Sequence, residues 1–140
     1  MGKVIQARSM PSSGYAGLMK PIIYCMVDTT TEERAVSINI ELAKKLADLR
    51  PKRRTMRLES CFEEVLNSLP DEVVIRDFDV MFNPDYKVDV LKIMTATCKK
   101  KPFSIIWPGK FEDGKLFYAE DGYPDFKAFS VEDHDVTCII

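Results

Sequence analysis

Short apolar stretches alternate with amphipathic segments along most of this chain. The continuously apolar run Ile22–Val27 is rich in β-forming residues, which is typical of a strand buried on both faces. Ala35–Ile40, Val73–Ile75 and Phe103–Trp107 predict three further strands. Apolar residues at helical spacing predict three helices between the strands. The apolar positions of these helices are Leu42, Leu46 and Leu49, then Phe62, Val65, Leu66 and Leu69, then Val88, Leu91, Thr95 and Cys98.

Polar and turn-forming residues predict where these elements begin and end. Asp28–Arg34 is polar and predicts a loop after the first strand. The first helix should end near Arg50, because the residue before a proline disfavours helical dihedrals. Ser60 and Glu63 have the spacing of a capping box, which predicts that the second helix starts at Ser60. Val136–Ile140 predicts a final edge strand.

Strands that alternate with helices predict an α/β fold. We expect a three-layer-like arrangement, in which a mixed, mainly parallel sheet is flanked by helices. Glu112, Asp113 and Gly114 lie between two apolar segments and predict a C-terminal β-hairpin. Pro11, Ser12, Ser13, Gly14 and Gly17 predict a flexible N-terminal arm over residues 1–20, followed by a single domain over residues 21–140.

Composition and charge narrow the classes of function. The chain is 46% apolar and 30% charged, with a net charge of −2, so any binding to nucleic acid must come from local basic patches. No apolar run approaches the roughly 20 residues that span a bilayer, and no secretory signal pattern is present, so we expect a cytoplasmic protein without a membrane partner. The cysteines are widely spaced, which favours buried free thiols over a zinc site.

Residues for common kinds of catalysis are missing from the sequence. His134 is the only histidine, and it lies near the end of the chain between two aspartates, which favours a surface residue. The segment after the first strand contains no glycine or lysine to hold a phosphate group, so we expect no cofactor and no enzymatic activity. Asp77 and Asp79 are weak candidates for a Mg²⁺ site, since both would lie on one face if the third strand continued through them.

Two basic clusters are candidate nucleic-acid contacts. The first puts five cations into eight residues between two predicted helices, and the second is a lysine triplet at the end of another helix. Such side chains can contact phosphates. Alternatively, they are solvated loop residues and favourable charges at helix C-termini. The residues are Arg50, Lys52, Arg53, Arg54 and Arg57, followed by Lys99, Lys100 and Lys101.

A series of short sequence motifs between Val36 and Phe129 resembles a known family. The motifs are Asn39 to Leu46, Lys52 to Arg54, Asp79 to Phe82, Asp89-x-Leu91, Trp107-Pro108-Gly109, Leu116 to Glu120 and Tyr123-Pro124-Asp125-Phe126. In this order they resemble BrxF, the small P-loop-type component of type-three BREX bacteriophage-defence systems. The resemblance implies a P-loop NTPase-like fold, protein partners within a defence complex, and DNA as a further candidate partner.

The chain departs from this family at the residues that would carry chemistry. The family's glycine-rich loop with Gly-Lys-Thr/Ser is absent, and Arg76 takes the place of its strand-end aspartate, unless a one-residue shift uses Asp77. The histidine that usually precedes Pro124 is Tyr123. We therefore expect a degenerate member, a non-catalytic accessory component. The alternatives are a nucleic-acid-binding module that uses Arg50–Arg57, and a divergent NTPase.

The most specific family motifs have two interpretations. Their aromatic residues pack the hairpin against the sheet, with the Pro-Gly pair forming a corner, or they line a contact surface for a larger partner. The residues concerned are Trp107, Pro108, Gly109, Tyr118, Glu120, Tyr123 and Pro124.

Overall fold

The computed structural model of the protein describes residues 2–6, 20–26 and 29–140. Within these residues the chain forms nine strands and four α-helices. In chain order they are β1 (Lys3–Ile5), β2 (Ile22–Tyr24), α1 (Thr29–Arg34), β3 (Val36–Ser37), α2 (Asn39–Ala47), α3 (Pro51–Asn67), β4 (Val74–Arg76), α4 (Val90–Cys98), β5 (Ser104–Ile106), β6 (Lys110–Glu112), β7 (Lys115–Tyr118), β8 (Lys127–Ser130) and β9 (Thr137–Ile139).

The main sheet has six strands in the order β1-β9-β2-β5-β4-β3, and every neighbouring pair is parallel. The α/β class, with a sheet flanked by helices, is confirmed, but the main sheet is wholly parallel rather than mixed. The antiparallel pairs belong to a separate sheet in the order β6-β7-β8. There Glu112 pairs with Lys115, so Asp113 and Gly114 form a two-residue turn, and both have positive φ angles, of 51° and 75°.

The two ends of the described chain lie beside each other in the main sheet. β9 pairs with both β1 and β2, so the prediction of a final edge strand is wrong. β9 is interior because β1 covers its outer side, and all three of its residues are buried. The prediction of a flexible arm is also wrong for Lys3–Ile5, which is the edge strand itself, whereas residues 7–19 of that arm lie outside the described residues.

The helices differ from the prediction mainly at their starting points. Part of the predicted polar loop forms α1, and β3 is shorter than predicted because α2 begins at Asn39. The capping box is wrong: α3 begins at Pro51, whose fixed φ and missing N–H suit the first helical position, and Ser60 lies inside the helix with its Oγ donating to the Arg57 carbonyl. The basic segment from Arg50 to Arg57 is therefore helical rather than a loop.

The core lies between the main sheet and its helices and extends under the small sheet. α2 and α3 each bury one apolar face, as the helical spacing predicts. The predicted face of the last helix is only partly right, because Val88 lies before α4 and Thr95 is half-buried. The buried residues of α4 are Val90, Leu91, Met94, Thr97 and Cys98. Three of the four cysteines are buried, and Cys25 is half-buried. The largest fully buried side chains include Phe62, Phe78, Phe82, Ile23, Leu42 and Leu91.

Candidate functional site

The carboxyl end of β2 leads towards a short helix. β2 is an interior strand between β9 and β5, and α1 follows it along the chain. In a P-loop, a buried strand leads through a glycine-rich loop into a helix in this way. Here residues 25–34 contain neither glycine nor lysine. These residues therefore lack the glycines and the lysine that hold phosphate groups in such a loop.

The two weak metal candidates follow β4 but do not continue the strand. β4 ends at Arg76, and Asp77 has a left-handed φ of 52°. Asp77 Oδ2 lies 3.6 Å from Arg76 Nε. Asp79 begins a short 3₁₀ helix, and its Oδ2 accepts a hydrogen bond from the Tyr118 hydroxyl at 2.9 Å. The continued strand that would place both carboxylates on one face does not exist, and the described residues contain no metal-binding group of three or more His, Cys, Asp or Glu side chains.

Trp107 lies at the centre of a buried aromatic group that joins the small sheet to the main sheet. Its side chain is 5% exposed, and its Nε1–H donates to the Phe117 carbonyl at 2.9 Å. Phe82 stacks on Tyr118 with ring centroids 3.9 Å apart and meets Trp107 edge-on at 5.7 Å. We call this group the aromatic junction, and it consists of Phe78, Phe82, Trp107, Tyr118 and Phe129.

Gly109 is explained by the same packing. A Cβ atom at this position would lie 1.9 Å from the Phe117 carbonyl oxygen and 3.1 Å from Trp107 Nε1. Only glycine therefore lets the chain pass so close to β7. Pro108 is half-buried beside it. The Trp-Pro-Gly motif and Tyr118 thus have packing roles, as the first of the two interpretations states.

The other three residues predicted to pack or to contact a partner are on the surface. Glu120, Tyr123 and Pro124 are exposed in the segment between β7 and β8, and Tyr123 is 61% exposed. The segment is a tight double turn, since the Tyr123 amide donates to the Glu120 carbonyl and the Phe126 amide donates to the Tyr123 carbonyl. We call residues 119–126 the tyrosine turn. It presents one aromatic ring to solvent on an ordered backbone.

Four of the eight predicted basic contacts are engaged within the protein. Arg54 Nε donates to the Leu46 and Leu49 carbonyls at the end of α2, at 2.9 and 3.2 Å. Lys101 Nζ donates to the Leu66 and Leu69 carbonyls at the end of α3, at 2.8 and 2.5 Å. These two cations add side-chain donors at the carboxyl ends of α2 and α3, where the Leu46 and Leu66 carbonyls also accept from the Leu49 and Leu69 amides. In addition, Lys100 pairs with Glu63 at 3.3 Å, and Arg57 Nε donates to Ser60 Oγ at 3.1 Å.

The remaining cations are exposed. Among the described residues, Arg50, Lys52, Arg53 and Lys99 have no hydrogen-bonding or ion-pair partner for their charged groups. The first three lie together, and we call them the basic end of α3. With Pro51 they line an open depression of about 490 Å³. A second depression, of about 290 Å³, is lined by Arg50, Arg53, Asp48 and Leu49.

His134 is more deeply placed than its sequence position predicts. Its side chain is 11% exposed, so the expectation of a surface residue is wrong. Nδ1 lies 2.8 Å from the Ser130 carbonyl oxygen, and Nε2 lies 3.2 Å from Asp89 Oδ2. Asp89 also caps α4 by accepting from the Lys92 amide. None of these partner atoms is a nucleophile. The contacts instead hold the start of α4 against the segment after β8.

Two cysteines that are distant in sequence are neighbours in the sheet. Cys138 on β9 pairs in register with Ile23, and the Cys25 amide donates to the Ile139 carbonyl. A hydrogen bond with the Cys138 thiol lowers the pKa of Cys25, whereas that hydrogen bond and burial raise the pKa of Cys138. Burial also raises the pKa of Cys61 and of Cys98. The spacing of the cysteines in sequence gives no sign of this contact, because it depends on the strand order.

None of the helices in the described part of the chain has the length and apolar character that crossing a membrane requires. No protein-family model, curated protein or solved structure matches the chain.

Proposed function

We propose that the protein is a non-catalytic accessory component of a prokaryotic anti-phage defence assembly of the BREX type, built on a degenerate P-loop-like fold. The observation that carries the non-catalytic part is the carboxyl end of β2. An interior parallel strand leads there towards a helix, while residues 25–34 offer no glycine or lysine for a phosphate. The defence context is supported by the ordered motifs between Val36 and Phe129.

The tyrosine turn is the surface that suits a protein partner. Exposed aromatic side chains are enriched at protein interfaces, because a ring contributes a large contact area at low conformational cost. Tyr123 is exposed on a backbone already ordered by two turn hydrogen bonds. Glu120 and Asp121 beside it are also exposed, which favours a partner surface with basic residues around an apolar pocket. In this proposal Tyr123 inserts into that pocket.

Nucleotide binding tests the non-catalytic part. We expect the melting temperature to stay unchanged in millimolar ATP or GTP with Mg²⁺, because a ligand stabilises the folded state only if it binds it. Turnover assays should show no release of phosphate. A clear rise in melting temperature, with hydrolysis that disappears in Asp79→Ala, would overturn this part and support a divergent NTPase.

Copurification tests the defence assignment and the tyrosine turn together. The protein would be coexpressed with the products of its neighbouring genes, which should include a methyltransferase and a phosphatase-like protein. Tyr123→Ala should reduce recovery of the partner at least tenfold, about 1.4 kcal/mol of binding free energy. Lys115→Ala, an exposed change on the small sheet, is the matched control and should retain it. An unrelated gene neighbourhood, or equal recovery with Tyr123→Ala, would contradict the proposal.

A further inference from the structure

The basic end of α3 differs from the other basic residues in what surrounds it. The first turn of α3 contains no acidic residue, and the side chain of its N-cap residue, Arg50, makes no capping hydrogen bond. Arg50, Lys52 and Arg53 are exposed, and among the described residues no carboxylate forms an ion pair with them. Asp48 lines the second depression together with Arg50 and Arg53, but one carboxylate leaves the three cations with a net positive charge.

The shape and lining of this surface favour an extended anionic ligand. Arg50, Pro51, Lys52 and Arg53 line an open depression of about 490 Å³. The aliphatic stems of the cations and the ring of Pro51 provide an apolar floor, while the charged groups reach into solvent. Met56 lies one helical turn further along, three residues after Arg53 and four after Lys52, and it is 82% exposed.

We propose that the basic end of α3 binds the phosphodiester backbone of nucleic acid. Arginine forms bidentate hydrogen bonds with phosphate oxygens, and two of the three cations are arginines. Apolar surface between and beside the cations can contact the sugars and bases of nucleic acid, groups that an acidic peptide does not have. The binding is independent of the defence assignment and of the tyrosine turn. It depends on the side chains of Arg50, Lys52 and Arg53.

The salt dependence of binding is the direct measurement. Fluorescence anisotropy with a labelled single-stranded DNA and with the matched duplex would be recorded between 50 and 200 mM salt. Three phosphate contacts predict slopes of log K against log salt of about −2.1 for the single strand and about −2.7 for the duplex. These slopes correspond to weakening of about 20-fold and about 40-fold over this range. The arm with the higher affinity identifies the form of nucleic acid that is bound.

A charge-matched pair of variants tests the location. The triple variant Arg50→Gln, Lys52→Gln, Arg53→Gln should lose measurable binding at 150 mM salt and most of the salt slope. The control triple variant is Lys87→Gln, Lys92→Gln, Lys115→Gln. It removes the same charge from exposed lysines elsewhere on the protein and should bind like the native chain. Arg53→Gln alone should reduce the duplex slope by about 0.9.

Several results would overturn the proposal. One such result is no binding of the native chain at 50 mM salt. Another is an equal loss of binding in both triple variants, because this would indicate attraction to the overall charge of the protein. Equal affinity for a poly-glutamate peptide of matched length would instead indicate a surface for an acidic protein segment. Unchanged melting temperatures of both triple variants show that a loss of binding is not a loss of folding.

Discussion

The aromatic junction and the basic end of α3 stand out equally in the sequence, but the structure places them in opposite situations. The junction's Trp107 is buried, its N–H is satisfied by the Phe117 carbonyl, and its ring contacts lie within the protein. The cations at the basic end are exposed, and the described residues provide no partner for them. A conspicuous residue is thus explained by folding when its polar groups and surface are used internally. Where they remain unused, it is a candidate for binding.

The largest expected effect is in the aromatic junction. Trp107→Ala should lower the free energy of unfolding by about 3–5 kcal/mol, because it removes a buried indole and leaves a cavity that the surrounding rings cannot fill. It also leaves the Phe117 carbonyl without its donor. Urea denaturation followed by circular dichroism measures the change.

Tyr123→Ala is the control for this comparison. The ring of Tyr123 is 61% exposed, so its removal should change the free energy of unfolding by less than about 0.5 kcal/mol. If Trp107→Ala were no more destabilising than Tyr123→Ala, the junction would not hold the two sheets together. The distinction between packing and binding residues would then be lost.

Lys101 sharpens the comparison because it also belongs to a basic cluster of the sequence, but its charged group has partners within the protein. Lys101→Met retains much of the apolar stem but removes the donor to the Leu66 and Leu69 carbonyls. The free energy of unfolding should fall by about 2 kcal/mol, as for other charged hydrogen bonds. Arg53→Met should change it by less than about 0.5 kcal/mol, because Arg53 is exposed and has no internal partner among the described residues. Equal effects of the two substitutions in chemical denaturation would contradict this assignment.

Local patterns in the sequence were sufficient to predict three of the four interior strands of the main sheet and the helix α2. The apolar runs beginning at Ile22, Val73 and Phe103 all contain strands, because a strand in a parallel sheet is apolar on both faces. The helical spacing of Leu42 and Leu46 likewise identified α2. These features depend only on neighbouring residues.

Features that depend on distant residues could not be predicted in this way. β9 is interior because Lys3–Ile5 covers its outer side, and no local pattern reports a pairing between the two ends of the chain. The start of α3 was missed for a local reason: Ser60 imitates a cap, although Pro51 already marks a preferred first helical position. A basic residue can bond within the protein only where a helix end lies near it, and the sequence does not give the positions of those ends. The sequence therefore left open whether each basic residue binds nucleic acid or only serves the fold.

Among the side chains with internal partners, the smallest expected effect concerns the Tyr118 hydroxyl of the aromatic junction. Tyr118→Phe keeps the ring that stacks on Phe82 but removes the hydroxyl that donates to Asp79. At pH 7 the free energy of unfolding should fall by about 1 kcal/mol, the usual contribution of one hydrogen bond. Burial, together with the hydrogen bond to the Asp79 carboxylate, raises the pKa of Tyr118 well above its ordinary value.

The raised pKa determines how this contribution depends on pH. Since the folded protein holds the phenol proton more tightly than the unfolded chain, the contribution of Tyr118 is complete below the unfolded pKa of about 10 and declines as the pH rises above it. The difference in free energy of unfolding between the native chain and Tyr118→Phe should therefore be constant from pH 7 to 9 and shrink above pH 10. A difference that grew with pH in this range would mean that the Tyr118 phenolate is favoured in the folded state. The hydroxyl would then be bound to a cation rather than to Asp79, and the junction would share the chemistry of the basic end.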